Sequence, residues 1–194
     1  HLYPLLLRTM LNGDGHIPVI AVLGGNLAER LSLDLANNVI GKGIQAGTHL
    51  RAGIALGNSI LENGRVAELA AGQMLTMNRE CDALIFGATN ETLLRDGFPV
   101  PRIDMLVLTG EYLDRTDADT GVTDASLIRI ALRMLAPAAR TVLLLDQAAG
   151  PTHDVAQALN DLGITHQVVS AQEVLSLAVQ RCIEPAHPGT VTAA

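Results

Sequence analysis

Short runs of apolar residues alternate along the chain with longer segments in which apolar residues recur at helical spacing. Five of the short runs are bounded by Gly, Pro, Asn or Asp and are nearly continuous in apolar character, which predicts strands that are buried on both faces. These predicted strands span residues 17–23, 83–86, 103–108, 141–145 and 166–169. Buried strands separated by helices are typical of βαβ units, so the pattern predicts a mainly parallel sheet.

The first two predicted helices are defined by apolar spacing and by end signals. The first begins with Asn26 as its cap and stops at Gly41. Its inward face is expected to consist of residues about one turn apart, namely Leu27, Leu31, Leu35 and Val39. The second spans residues 66–77, and we interpret its Met74 and Met77 as residues that fill the core.

Three further helices are predicted in the second half of the chain. The first of these is opened by Thr123 or Asp124 and has Pro137 just beyond its end. Its inward residues are expected to be Leu127, Ile130, Ala131, Met134 and Leu135. The other two helices span about residues 154–162 and 172–182.

Residues 45–65 differ from the rest because glycines and turn dipeptides separate short apolar pieces. The dipeptides Gly57-Asn58 and Asn63-Gly64 predict a β-hairpin inserted after the first βα unit. No linker divides the chain, so residues 1–183 are predicted to form one three-layer α/β/α domain. Residues 184–194 are expected to be a flexible tail.

Composition and charge exclude several classes of function. The chain has 194 residues and a net charge of −7, and its arginines form no run that could follow a phosphate backbone, so nucleic-acid binding is not expected. No stretch is long and apolar enough to predict a membrane span. Cys81 and Cys182 lack CxxC spacing and are expected to be reduced thiols in the core of a cytoplasmic protein. Lys42 is the only lysine among the 13 basic residues, so any lysine chemistry would have to come from that position.

Ligands of parallel sheets bind at the carboxyl ends of the strands, and the first such turn contains Gly24, Gly25 and Asn26. Two glycines permit a tight turn, and the helix N-terminus that follows attracts anions. A phosphate-binding loop also needs a lysine and a Ser or Thr, where this chain has Ala28 and Glu29. Because Glu29 in the first helical turn repels phosphate, the residues alone favour a structural turn.

Residues 1–4, residues 17–22 and the turn with Gly24 and Asn26 together resemble the beginning of the central Mur-ligase-like domain of cyanophycin synthetases. In that family the strand is followed by the motif G-T-N-G-K-T-T. Here the motif falls on residues 24–30, where its first glycine and its asparagine match, but its second glycine, lysine and threonines are absent. The resemblance covers about residues 1–150, with further matches at 53–64, 93–97, 102–109 and 127–146.

The resemblance implies a domain that, in active family members, binds ATP and magnesium and activates a carboxylate as an acyl phosphate before an amide bond forms. The departures fall on the functional positions. The family's E-T-A-R-G-G turn, whose glutamate helps to bind magnesium, falls on residues 87–92. Its D-H-x-G turn falls near residues 112–115, where this chain has no histidine. Its D-x-T-G-P loop falls near residues 65–69, where this chain has Ala67 in place of a hydroxyl residue. We therefore interpret Gly24, Gly25 and Asn26 as a vestigial cofactor-binding turn, and expect no cofactor, catalytic residue or metal ligand in this domain.

Three hypotheses for the function follow. The first is a non-catalytic structural or oligomerisation domain of a cyanophycin synthetase-like ligase, whose partner is an ATP-grasp domain of the same parent protein or a symmetry mate in a homo-oligomer. The second is a divergent ATP-dependent amide ligase. The third is a small-molecule binding module in which Asn90, Glu91 and Arg95, after the second predicted strand, hold the ligand. The acidic segment at 111–121 lacks the complete calcium-loop pattern and is predicted to be a solvated loop.

Overall fold

The computed structural model describes residues 16–88, residue 93 and residues 97–110, 124–146 and 152–183. Its strands are β1 (Val19–Leu23), β2 (Ala46–Leu50), β3 (Gly53–Leu56), β4 (Ser59–Asn63), β5 (Ala83–Ala88), β6 (Met105–Leu108), β7 (Val142–Leu145) and β8 (Gln167–Val169). Its helices are α1 (Asn26–Ile40), α2 (Glu68–Thr76), α3 (Asp124–Leu135), α4 (Thr152–Asp161) and α5 (Ala171–Ile183). A 3-10 turn, Ala136–Ala138, follows α3 directly.

The strands form one sheet in the order β4-β3-β2-β5-β1-β6-β7-β8. From β2 to β8 along this order the neighbouring strands are parallel, whereas β3 is antiparallel to both of its neighbours, β2 and β4. The α/β fold with a mainly parallel sheet is therefore confirmed. The five strands predicted from apolar runs are all present, with ends that differ from the predicted ones by at most two residues.

The predicted hairpin at 45–65 needs a correction. Its two antiparallel strands are β3 and β4, but the first part of the segment is β2, which pairs in parallel with β5 and belongs to the main sheet. A glycine explains why β2 lacked an apolar pattern. A Cβ at Gly47 would lie 2.8 Å from Sγ of Cys81 and 2.9 Å from Cδ2 of Leu75, so α2 and the segment before β5 pack directly on the strand backbone.

The two outer strands of the sheet differ in length. β8 has three residues, and β4 has five, all of them exposed. The exposed residues of β4 include Ile60 and Leu61, and Leu61 is the extra residue where the pairing shifts from Ala55–Ile60 to Ile54–Glu62. β4 therefore extends the sheet beyond the part that the described helices cover, whereas Ile54 and Leu56 of β3 are buried in one cluster with Leu75 of α2.

Helices cover both faces of the sheet and bury its strands. α1 and α5 pack on one face, where residues such as Leu35 and Val174 meet Ile20 and Ile85 of the central strands. α2, α3 and α4 lie on the other face, over two clusters of buried apolar residues. The partly buried Phe98 packs against both clusters. This arrangement gives the three layers that the sequence predicted. No helix in the described ranges is long and apolar enough to cross a membrane.

Several helix details differ from the sequence predictions. Gly25, not Asn26, occupies the cap position of α1, and no side chain caps this helix; Asn26 is its first residue. Met74 and Met77 do not fill the core, since their exposed fractions are 43% and 82%.

The inward face of α3 is also rotated from the predicted one. Ala131 and Leu135 are buried as expected, but Leu132 takes the place assigned to Ile130 and Met134, which are both exposed. Thr123 and the tail at 184–194 lie outside the described residues.

Asp104 connects the beginnings of the two central strands β1 and β6. Its Oδ2 accepts hydrogen bonds from the backbone N–H of Val19 and from Nε2 of His16, both at 2.8 Å. Nη2 of Arg102 lies 3.4 Å from Nδ1 of the same imidazole, so a proton on Nε2 and a lone pair on Nδ1 satisfy both contacts. The buried carboxylate thus holds the amino edge of the sheet opposite the predicted site.

We expect Asp104→Ala to lower the free energy of unfolding by about 2–3 kcal/mol, because it leaves the buried N–H of Val19 without an acceptor and removes a hydrogen bond to a charged group. Urea unfolding measures the loss. Asp34→Ala is the matched control, since Asp34 is exposed on α1 and its replacement is expected to be neutral or slightly stabilising. Equal stabilities of the two variants would contradict the role assigned to Asp104.

Candidate functional site

The carboxyl ends of the three central strands meet at the turn that follows β1. The backbone N–H of Gly24 donates to the carbonyl of Ala88 at the end of β5, at 3.1 Å. On the other side, the N–H of Thr109 donates to the carbonyl of Leu23 at 3.0 Å, and its Oγ1 donates to the same oxygen at 3.3 Å. These bonds fix the turn of Gly24 and Gly25 at the middle of the edge where ligands of parallel sheets bind.

The turn leads directly into α1, and its side chains determine the local charge. Gly25 is the cap residue, Asn26 is exposed, and Ala28 is buried against the sheet. Glu29 is the acidic residue of the first helical turn. Its negative charge interacts favourably with the positive end of the helix dipole, which is the same partial charge that would attract a phosphate.

Little space remains beside this turn. The cavity there has a volume of about 20 Å³ and is lined by Gly25, Ala28, Glu29, Arg51, Gly87 and Ala88. A cavity of this size holds about one water molecule, whereas small-molecule sites are typically about 300–1,000 Å³. The described residues beside the turn therefore form no cavity of the size that small-molecule sites have.

Close contact between α1 and β5 explains the small volume. A Cβ at Gly87 would lie 3.0 Å from Oγ of Ser32 and 3.1 Å from Cδ2 of Leu50, so the helix packs on the strand backbone at this point. Ser32 Oγ is fully buried there and has no hydrogen-bond partner among the residues that the structure describes. The sequence carried no signal for this contact, because it depends on which two elements the sheet order brings together.

Lys42 lies far from the turn. It follows the C-terminal end of α1, where its backbone N–H donates to the carbonyl of Val39 at 3.0 Å. A continuous helix of this length spans roughly 22 Å. The only lysine therefore lies near the amino edge of the sheet, one full helix length from Gly25.

The structure brings together some of the predicted site residues. Gly24, Gly25 and Asn26 lie at the centre of the carboxyl edge, as the strand order requires. The three predicted ligands Asn90, Glu91 and Arg95 and the acidic segment at 111–121 lie outside the described residues, so their roles stay predictions. Sequence reasoning did not find that Arg51 lines the same cavity as Glu29, a proximity that arises because β2 lies beside β5.

Both cysteines are free thiols in environments that suppress ionisation. Burial raises the pKa of the Cys81 thiol to about 11, and its Sγ donates to the carbonyl of Ala83 at 3.2 Å. Burial, together with the negative charge of Asp104, raises the pKa of Cys182 to about 12. Neither thiol is activated as a nucleophile. In the described ranges no three His, Cys, Asp or Glu residues are grouped closely enough to hold a metal ion.

Comparison with known proteins identifies the fold. No protein-family model and no curated protein matches this chain. Among solved structures it is similar to UDP-N-acetylmuramoyl-L-alanyl-D-glutamate–2,6-diaminopimelate ligase, with a TM-score of 0.59 and 13% sequence identity. The match covers 84% of this chain and 34% of the ligase chain, so this chain spans about a third of that protein. The fold is Mur-ligase-like, as the sequence resemblance implied.

The raised thiol pKa values predict slow modification of the folded protein. At mildly alkaline pH, a shift from 9.0 to about 11 leaves Cys81 with roughly a hundredfold less thiolate than an ordinary cysteine. Reaction with Ellman's reagent should therefore be slow in the native state and rapid in denaturant.

The same shifts make stability depend on pH. Above about pH 9 the unfolded chain loses its thiol protons while the folded chain keeps them, so the free energy of unfolding should fall as the pH rises further. Cys81 is buried, whereas Cys182 is only partly buried and not in the core as predicted. Fast labelling of Cys81 in the native protein would therefore contradict its burial.

Proposed function

We propose that this chain is a non-catalytic Mur-ligase-like central domain that acts as a structural part of a larger cyanophycin synthetase-like ligase. The similarity to a Mur ligase supports the fold part of this proposal, and the sequence resemblance in residues 1–150 supports the narrower family. The chain spans about a third of the matched ligase, so the chemistry of the whole protein would involve parts outside it.

The observation that carries the proposal is the combination of charge and space at the Gly24–Gly25 turn. Active relatives need a cation and hydroxyl groups there to hold ATP and magnesium. Here Ala28 and Glu29 occupy those positions, and the cavity beside them is about 20 Å³. A phosphate group at this turn would meet the Glu29 carboxylate, and the described residues beside it form only a small cavity.

A divergent but active ligase is the less favoured alternative. It would need a positive charge at the turn, and Lys42 lies a helix length away. Arg51 is exposed at the rim of the cavity, but Glu29 lines the same cavity and offsets its charge. The geometry of the described residues therefore favours the structural role over phosphate binding.

The outward side of α2 supports a role in assembly. Leu69 and Met74 of α2 and Met77, which follows the helix directly, are all exposed, whereas Leu75 on the other side packs in the core. A helix that is apolar on both sides is typical of an element covered by a further partner. We propose that this partner is an ATP-grasp domain of the same parent protein or a second copy of this chain, in the cytoplasm.

Calorimetry with Mg-ATP tests the proposal. We expect no measurable heat of binding for the wild-type chain. We expect the same for Glu29→Gln, because removing the carboxylate restores neither the missing lysine nor the missing space.

A thermal unfolding scan provides the second measurement. A ligand present at about 100 times its Kd stabilises a protein by about 2.7 kcal/mol, which would raise the midpoint by several degrees. Micromolar affinity in calorimetry, or such a shift, would overturn the structural proposal and favour the divergent ligase.

A further inference from the structure

A large groove lies at the edge of the sheet opposite the Gly24–Gly25 turn. It has a volume of about 590 Å³, which is within the range of small-molecule sites. It is formed where α3 and α4 end and where β7 and β8 begin, and we call it the α3–α4 groove. Its apolar lining consists mainly of Leu132, Ala136, Val142, Leu162 and Ile164.

The polar lining of the α3–α4 groove is cationic. Arg133 and Arg140 line it together with His166, Thr141, Thr165 and Gln167, and none of the described lining residues is a carboxylate. The protein as a whole carries a net charge of −7, so a lining with two arginines and no acidic residue is contrary to the overall charge. Such a surface attracts anions.

Arg133 and Arg140 differ from the neighbouring Arg129 in having no ion-pair partner among the described residues. Arg129 lies one helical turn before Arg133 on the same side of α3, and its Nη2 forms an ion pair with Oδ2 of Asp161 at 2.8 Å. Asp161 is the last residue of α4, so the groove opens just beyond this pair. Within the described ranges, neither Arg133 nor Arg140 forms a side-chain hydrogen bond or ion pair.

Arg140 is the stronger evidence for ligand binding, because the position of Arg133 has an ordinary structural explanation. Arg133 lies in the last turn of α3, where a cation also stabilises the negative end of the helix dipole. Arg140 follows the 3-10 turn and has no helix end to offset, and its backbone N–H is already bonded to the carbonyl of Ile103. Its exposed guanidinium at the groove therefore has no structural contact to explain it.

Other polar groups of the groove are held in place from behind. Thr141 Oγ1 accepts a hydrogen bond from Nη2 of Arg181 in α5 at 3.4 Å, which places a third arginine next to the lining. Nδ1 of His166 lies 3.1 Å from the carbonyl of Ile164, a contact in which Nδ1 donates. This contact fixes the plane of the imidazole and leaves Nε2 for a ligand.

We propose that the α3–α4 groove binds a small organic anion, whose oxyanion head group contacts Arg133 and Arg140 and whose apolar body lies on the leucine and isoleucine lining. A carboxylate and a phosphate monoester share this chemistry, because both accept paired hydrogen bonds from a guanidinium. The site is independent of the function proposed above, since it lies at the amino edge of the sheet and does not involve the Gly24–Gly25 turn.

NMR titration of the isotope-labelled chain tests the proposal with four probes. Phenyl phosphate and benzoate carry the two candidate head groups, benzyl alcohol carries the apolar body alone, and inorganic phosphate carries the charge alone. We expect saturable shifts of backbone amides around the α3–α4 groove with phenyl phosphate, benzoate or both, and at least tenfold weaker binding of the two partial probes. The stronger of the two aromatic anions identifies the head group.

Variants connect the binding to the arginines. Arg140→Gln should weaken binding of the stronger aromatic anion by about tenfold, the effect of losing one charge-assisted contact. Arg79→Gln is the matched control, because Arg79 is exposed outside the groove and its replacement should change the affinity less than twofold. Unchanged thermal midpoints in both variants would show that the fold is intact.

Three outcomes would overturn the proposal. Equal binding of benzyl alcohol and the aromatic anions would overturn the proposal, because the groove would then be an apolar surface only. Equal weakening by Arg79→Gln would indicate nonspecific charge attraction. The absence of amide shifts around the α3–α4 groove with every probe would overturn the proposal as well, and shifts confined to the Gly24–Gly25 turn would in addition contradict the proposed function.

Discussion

The complete burial of β1 is the constraint on which the rest of the structure depends. All five of its residues, from Val19 to Leu23, are buried, so its backbone groups have access only to the neighbouring strands β5 and β6. An unsatisfied backbone group in such a place would cost about 1–3 kcal/mol. The strand is therefore fixed in register on both sides. Asp104 secures its beginning, and the bonds of Gly24 and Thr109 secure its end.

This constraint explains why the Mur-ligase-like fold does not depend on particular polar side chains at the first turn of α1. The fold requires apolar residues in the strands and close packing of α1, which Ala28, Ser32 and Gly87 permit. Nucleotide chemistry requires different residue types at the first turn of the same helix. Ala28 is buried against the sheet whereas Glu29 is only partly buried, so the charge at this turn can vary without disturbing the sheet.

The sequence predicted the parts of the fold that have a local signal. Buried strands appeared as apolar runs, and Gly41 correctly predicted the end of α1. β2 was missed as a separate strand because Gly47 replaces an apolar side chain with open backbone against which others pack. Met74 and Met77 were assigned to the core by residue type alone, although a helix pattern does not show which apolar side faces the sheet.

The candidate sites also divide into those with a local signal in the sequence and those without one. The central turn was predictable because its position follows from the strand order of any parallel sheet. The proximity of Arg51 to Glu29 and the α3–α4 groove were not predictable, because each joins residues from elements that are distant in sequence and that meet only in the folded chain.

The outer strand β4 has a consequence for solution behaviour. Among the described strands it pairs only with β3, so its outer edge is available to another chain, and mutual repulsion of molecules with a charge of −7 opposes that contact. Colloidal stability thus rests on long-range charge, which high salt screens.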